Sequence, residues 1–111
     1  MLAPGPCKRV TIHLNADTSS GHDFLFRDIL TFLLERGVSG ATLIRPEAGF
    51  GSHHRLHDQQ ADGAGGLHLP VRIEFLESAE KLAEIISDLS VMVYDGVIEV
   101  QDTTILKVGV S

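Results

Sequence analysis

The sequence predicts an α+β domain in which four antiparallel strands form one sheet and two helices cover one of its faces. Three observations carry this expectation. Residues 9–14 and 69–76 alternate apolar and polar side chains with a period of two, as half-buried strands do. Leu82, Ile85, Ile86 and Leu89 recur at i, i+3, i+4 and i+7, the spacing of an amphipathic helix. The segments follow one another as strand, helix, strand, long loop, strand, helix, strand, which is the βαββαβ order of ferredoxin-like domains.

Each element has its own signals. Residues 1–7 hold Pro4, Gly5 and Pro6 and read as a flexible arm, which leaves 8–111 as a single domain. In the first strand Val10, Ile12 and Leu14 face one way, and Thr11 and His13 the other. Residues 15–21 are polar and turn-rich. Ser19 and Ser20 are candidate caps for a helix over 24–36, where Leu25, Ile29, Phe32 and Leu33 repeat at helical spacing. Gly37 suits the left-handed residue that closes such a helix. Residues 40–46 form the second strand. Pro46 has no N–H for a ladder, so the strand ends there or lies at an edge. Residues 47–68 are rich in glycine and histidine and lack apolar periodicity; a loop of that length in a small domain is functional or disordered.

In the third strand Val71, Ile73 and Phe75 share a face. Ser78 caps the second helix, whose outer side carries Lys81, Glu84 and Asp88. Asp95-Gly96 marks a turn before a fourth strand at 97–101, and 103–110 either continues that strand or adds a fifth. The helices bury the Val, Ile and Leu of one sheet face. The other face carries Thr11, His13, Thr42, Arg72, Glu74 and Glu99, and it meets either water or another subunit.

Composition narrows the function. A formal net charge of −6 with scattered basic residues argues against nucleic-acid binding, which needs clustered Lys and Arg. A small phosphorylated ligand needs only two or three local cations. Cys7 is the single cysteine, so no intrachain disulfide forms and a reducing, cytoplasmic setting is expected. No stretch approaches the roughly 20 apolar residues of a membrane helix, and the start MLAPGPCKR lacks the apolar run of a signal peptide. No direct membrane insertion is expected.

The densest chemistry lies in E-A-G-F-G-S-H-H-R-L-H at 47–57. Gly49 and Gly51 flank Phe50, so the backbone there can turn sharply and approach a ligand closely. Free N–H groups in such a turn bind anions; the same glycines also serve as a plain hinge. His53, His54 and His57 are candidate metal ligands. His53 and His57 would share one side of a helical turn, and zinc, copper or nickel accept imidazole nitrogens. These histidines equally suit phosphate contact, pH sensing or ordinary polar loop chemistry. Arg45 and Arg72 flank the loop, and either can pair with a phosphate. Arg72 has Glu74 on its own face as a salt-bridge partner, which ranks Arg45 higher. His13 reads as a hydrogen-bonded interface histidine. No catalytic constellation stands out. Ser52 beside His53 lacks a third orienting group, and the G-x-G at 49–51 lacks a Walker lysine and a following helix. A non-catalytic protein is expected.

The run G-V-S-G-A-T-L-I-R-P-E-A-G-F-G at 37–51 resembles the stretch of PII signalling proteins that leads from the first helix into their T-loop. L-P-V-R-I-E-F at 69–75 resembles the strand that follows it. With its glycine-aromatic-glycine run followed by histidines, the chain over about residues 8–108 is more similar still to the PII-like family known as domain of unknown function 190. The resemblance implies a PII-like homotrimer that binds an adenine nucleotide in clefts between subunits. It implies that the 47–68 loop passes the signal to a partner such as a membrane transporter or an enzyme. It places Thr42 near the adenine and Gly51 beside the phosphates, within a ligand-binding set of Thr42, Arg45, Gly49, Phe50, Gly51, Ser52 and His53. The alternative is a metal-binding trimer, like the copper-tolerance protein of related architecture, using His53, His54 and His57.

Three departures from PII qualify these expectations. Ser52-His53 stands where PII proteins carry the Arg-Gln pair used for magnesium and 2-oxoglutarate. The segment 47–68 has no tyrosine for uridylylation. V-Y-D-G at 93–96 replaces the basic, glycine-rich phosphate loop. AMP, ADP or a cyclic dinucleotide is therefore expected in preference to a triphosphate.

Overall fold

The structure, a computed structural model, describes residues 1–50, 57–58 and 69–109. Strand β1 runs over Gly5–Asn15, helix α1 over Leu25–Glu35 and strand β2 over Thr42–Ile44. Two short strands, β3 (Ala48–Gly49) and β4 (His57–Asp58), are followed by β5 (Pro70–Glu77), helix α2 (Ala79–Met92) and β6 (Val97–Ile105). The main sheet has the order β2-β5-β1-β6, and all of its pairings are antiparallel. This is the expected α+β, ferredoxin-like arrangement.

The core lies between the sheet and the two helices. Val10, Ile12 and Leu14 of β1 and Val71, Ile73 and Phe75 of β5 are buried with Leu25, Phe26, Ile29 and Leu33 of α1 and Leu82, Ile85 and Leu89 of α2. The period-two pattern thus fixes which sheet face the helices take. Gly37 closes α1 with φ of +79°, and the N–H of Val38 bonds back to the carbonyl of Leu33. Ser78 caps α2 as expected, its Oγ accepting from the N–H of Lys81 at 3.1 Å.

Several boundaries differ from expectation. Residues 5–7 are not part of a free arm; they pair with Thr103–Ile105 of β6. β5 reaches β1 only as far as Lys8, so this stretch is bonded on one side alone and the missing N–H of Pro6 is tolerated. The 103–110 segment extends β6 to Ile105 instead of adding a strand. Ser19 and Ser20 do not cap α1. The N-cap position is Phe24, which has no side-chain bond. The two serines shape the turn before it: Ser19 Oγ accepts from Gly21 N, and Ser20 Oγ accepts from Asp23 N. β2 is shorter than 40–46 and lies at the sheet edge, ending before Arg45-Pro46. The 47–68 segment carries a two-residue ladder that pairs Ala48 with Asp58 and Gly49 with His57.

A buried carboxylate helps tie the two βα halves together. Glu77, at the end of β5, is only 1% exposed. Its carboxylate accepts from Ser39 N at 2.8 Å and Ser39 Oγ at 3.2 Å, and from Ser78 N at 3.3 Å. The connection leaving α1 is thereby anchored to the start of α2.

Candidate functional site

The pleat and register sort the open sheet face into rows. One row crosses all four strands as Ile44, Arg72, His13 and Val97. The next, two residues along each strand, reads Thr42, Glu74, Thr11 and Glu99. The first row places an arginine and a histidine between two apolar residues. The second alternates threonine and carboxylate.

All four residues of the first row line a cavity of about 630 Å³. The segment leaving β2 supplies Pro46, Ala48 and Phe50 to its wall, β5 supplies Pro70 and Val71, and the turn after α2 supplies Asp95 and Gly96. Leu14 and Asn15 at the end of β1 complete it. Phe50 is 69% exposed. The lining is thus mostly apolar with an accessible aromatic ring, plus a few polar groups of both signs; small-molecule sites have this character and this size range. Gly49 positions the wall. A Cβ there would lie 3.2 Å from Pro70 Cγ, so the β3 backbone rests on the proline ring. A second depression of equal volume, at Pro6, Cys7, Lys8 and Asp102, has no aromatic wall, and its lysine is held by Asp102.

Arg72 and His13 of the first row are each engaged by a carboxylate of the second. His13 Nε2 lies 2.8 Å from Glu99 Oε1, and Arg72 Nε lies 3.8 Å from Glu74 Oε1. All four side chains are partly solvated. Coulomb attraction at such sites is screened by water.

The site residues expected from sequence are distributed unevenly. Phe50 lines the cavity and Gly49 supports it. Thr42 stands in the second row and lines a different, smaller depression with Arg9 and Leu76. Arg45 is also elsewhere. Its guanidinium lies 5.3 Å from the ring centroid of Phe26, on the helix side, while Arg27 stacks at 5.8 Å from the same ring. Of the two arginines, Arg72 is the one that lines the cavity. Gly51, Ser52, His53 and His54 lie outside the described residues. His57 stands in β4, where the backbone is extended, so the helical turn invoked to align it with His53 does not reach it. Among the described residues, no group of three or more His, Cys, Asp or Glu is placed to hold a metal. No described helix is long and apolar enough to cross a membrane.

Sequence reasoning missed Asn15, Ile44, Asp95 and Val97 as cavity residues. Their shared signal is position: each sits at the end of a strand, or in a turn, next to the long loop.

Solved structures share this architecture. CPII, a nitrogen regulatory PII-like protein from Thiomonas intermedia K12 bound to ADP, AMP and bicarbonate, matches with a TM-score of 0.66 at 17% identity, covering 96% of this chain and 94% of that one. Its complex with ADP and bicarbonate matches with a TM-score of 0.59 at 20% identity, covering 96% and 95%. A protein of Thermus thermophilus, assigned as PII-like and signalling, matches with a TM-score of 0.61 at 18% identity, covering 95% and 94%. The fold is accordingly that of the PII-like proteins. Within that class the chain belongs to the DUF190 family, described as an uncharacterised ACR, whose model matches residues 7–105.

Proposed function

We propose that this protein is a non-catalytic, PII-like regulatory protein that binds an adenine nucleotide in the cavity at the Ile44–Arg72–His13–Val97 row. The carrying observation is the pairing of that row with the exposed Phe50 ring across one 630 Å³ cavity. An adenine ring finds an aromatic face and apolar walls, and its phosphates find Arg72 and His13. Asp95 supplies a carboxylate able to accept from ribose hydroxyls. AMP or ADP suits the site better than ATP, since Arg72 and the His13 ring offer little to a third phosphate. The binding of ADP and AMP by CPII supports the choice of ligand class.

The protein works as a homotrimer in the cytoplasm on this reading, with the cavity opening into a cleft between subunits. Ligand in the cavity bears directly on the 46–50 segment, and so on the start of the long loop. A ligand shifts a loop equilibrium only by its differential affinity for the loop states, and contacts to Phe50 and Pro46 provide that difference. A partner protein, such as a transporter or an enzyme, reads the loop.

Calorimetric titration with AMP, ADP, ATP, cyclic di-AMP, zinc and copper tests this. AMP or ADP is expected to bind, and Phe50→Ala to weaken that binding roughly tenfold, the loss of one stacked base–aromatic contact. A response to zinc or copper with none to any nucleotide would sink the proposal. Detectable nucleotide turnover would contradict the non-catalytic reading.

A further inference from the structure

We infer that Glu74 and Glu99 are specificity-determining residues. They occupy the Arg72 guanidinium and the His13 ring as internal acceptors, and a ligand must displace them, so the site selects phosphate dianions over monoanions. The inference deepens the nucleotide reading above, in that it assigns Arg72 and His13 as the anion end of the same cavity.

The argument starts from the register. Arg72 and His13 are directly paired across β5 and β1, so their side chains stand next to each other on the open face. Each meets a carboxylate from the row behind: Glu74 lies two residues along the same strand, and Glu99 lies diagonally across on β6. Arg72 and His13 line the cavity, whereas Glu74 and Glu99 do not. Arg72 and His13 therefore sit at a boundary, with cavity on one side and carboxylates on the other. Thr11, only 7% exposed, stands between the two carboxylates across the sheet.

Charge and proximity then set the preference. A tethered carboxylate has a high effective concentration at its partner. A free monoanion such as acetate offers the same charge without the tether and loses the exchange. A phosphate monoester carries nearly two charges and three acceptor oxygens, and it can bridge the Arg72 guanidinium and the His13 ring at once. Such a group displaces both carboxylates by swinging Arg72 and His13 toward the cavity, with no backbone movement required.

The sign of the test separates this idea from a merely structural role. Removing a competitor must tighten binding, whereas damage to the fold weakens it. Glu99→Gln and Glu74→Gln are each expected to bind AMP about two- to fivefold more tightly, the scale of one exposed ion pair, and the double variant about tenfold. Adenosine, which lacks the phosphate, should bind all three variants and the wild type alike. Arg72→Ala should lose AMP and pyrophosphate affinity and keep adenosine affinity. Thermal melts of each variant verify folding.

Unchanged or weaker AMP binding in both folded glutamine variants would overturn the inference, as would adenosine responding as strongly as AMP. The nucleotide reading fails separately. If pyrophosphate binds in an Arg72-dependent manner, tightened by the glutamine variants, while adenosine and AMP show no adenine contribution, the anion end stands and the adenine assignment falls. If adenosine binds and the phosphate adds nothing, the reverse holds.

Discussion

Gly96→Ala is expected to lower the melting temperature by roughly 10 °C, the consequence of an overpacking cost of about 2–3 kcal/mol in a domain of this size. Gly96 precedes β6 and lies against the end of β1. A Cβ there would sit 2.5 Å from the carbonyl oxygen of His13, 3.0 Å from Val93 Cγ1 and 3.3 Å from Leu14 Cβ. The first neighbour is backbone, so a rotamer change cannot relieve the contact. Either the turn after α2 must move out or β1 must shift at His13–Leu14, where β5 holds it from the other side. Both answers deform the cavity, which Gly96, His13 and Leu14 all line. The variant should therefore lose AMP affinity along with stability. A thermal melt and an AMP titration check the pair. A melting temperature within about 2 °C of wild type, well below the shift from a single kcal/mol, would show that the contact is relieved without cost.

Glu77→Ala is expected to cost about 3 kcal/mol, since it strands polar groups that its carboxylate now satisfies. The donors are Ser39 N, Ser39 Oγ and Ser78 N. They belong to the connection after α1 and to the cap of α2, so the loss would be felt in both halves. Glu77→Gln keeps the shape and one acceptor oxygen; about half of the loss is expected, because only one part of the array is broken. Chemical denaturation of the three proteins provides the comparison. Equal stabilities for Glu77→Ala and wild type would show that water replaces the carboxylate, and that the burial of Glu77 has no energetic consequence.

Much of the fold was legible because its signals are local. Val10, Ile12 and Leu14, and later Val71, Ile73 and Phe75, announce their face by alternation alone. Ser78 announces a helix start because a cap acts within one turn. The site was less legible, because it depends on which strand lies beside which. Alternation puts Arg72 and His13 on the open face, but only the register makes them neighbours. The same register sends Thr42 to the second row, a consequence of a two-residue step. Arg45 illustrates a different gap. It follows β2, beside the long loop, and reads as a ligand-facing cation, yet the Phe26 ring on α1 takes it in the opposite direction. Gly5 and Pro6 read as an arm because proline and glycine usually mark loops. The partner that gives them a strand is nearly the whole chain away, at Thr104 and Ile105.

That last pairing has a consequence for how the protein is made. β1 is a central strand, yet one of its two neighbours is the last strand of the fold. A ribosome adding about 5–20 residues per second needs roughly 5–20 seconds to pass from β1 to β6. Val10, Ile12 and Leu14 are therefore synthesised well before the strand that completes their sheet. Contacts this distant in sequence also slow the closure of the fold itself. The nascent chain is thus most exposed to aggregation and to chaperone capture early, at the very strand that ends up best protected.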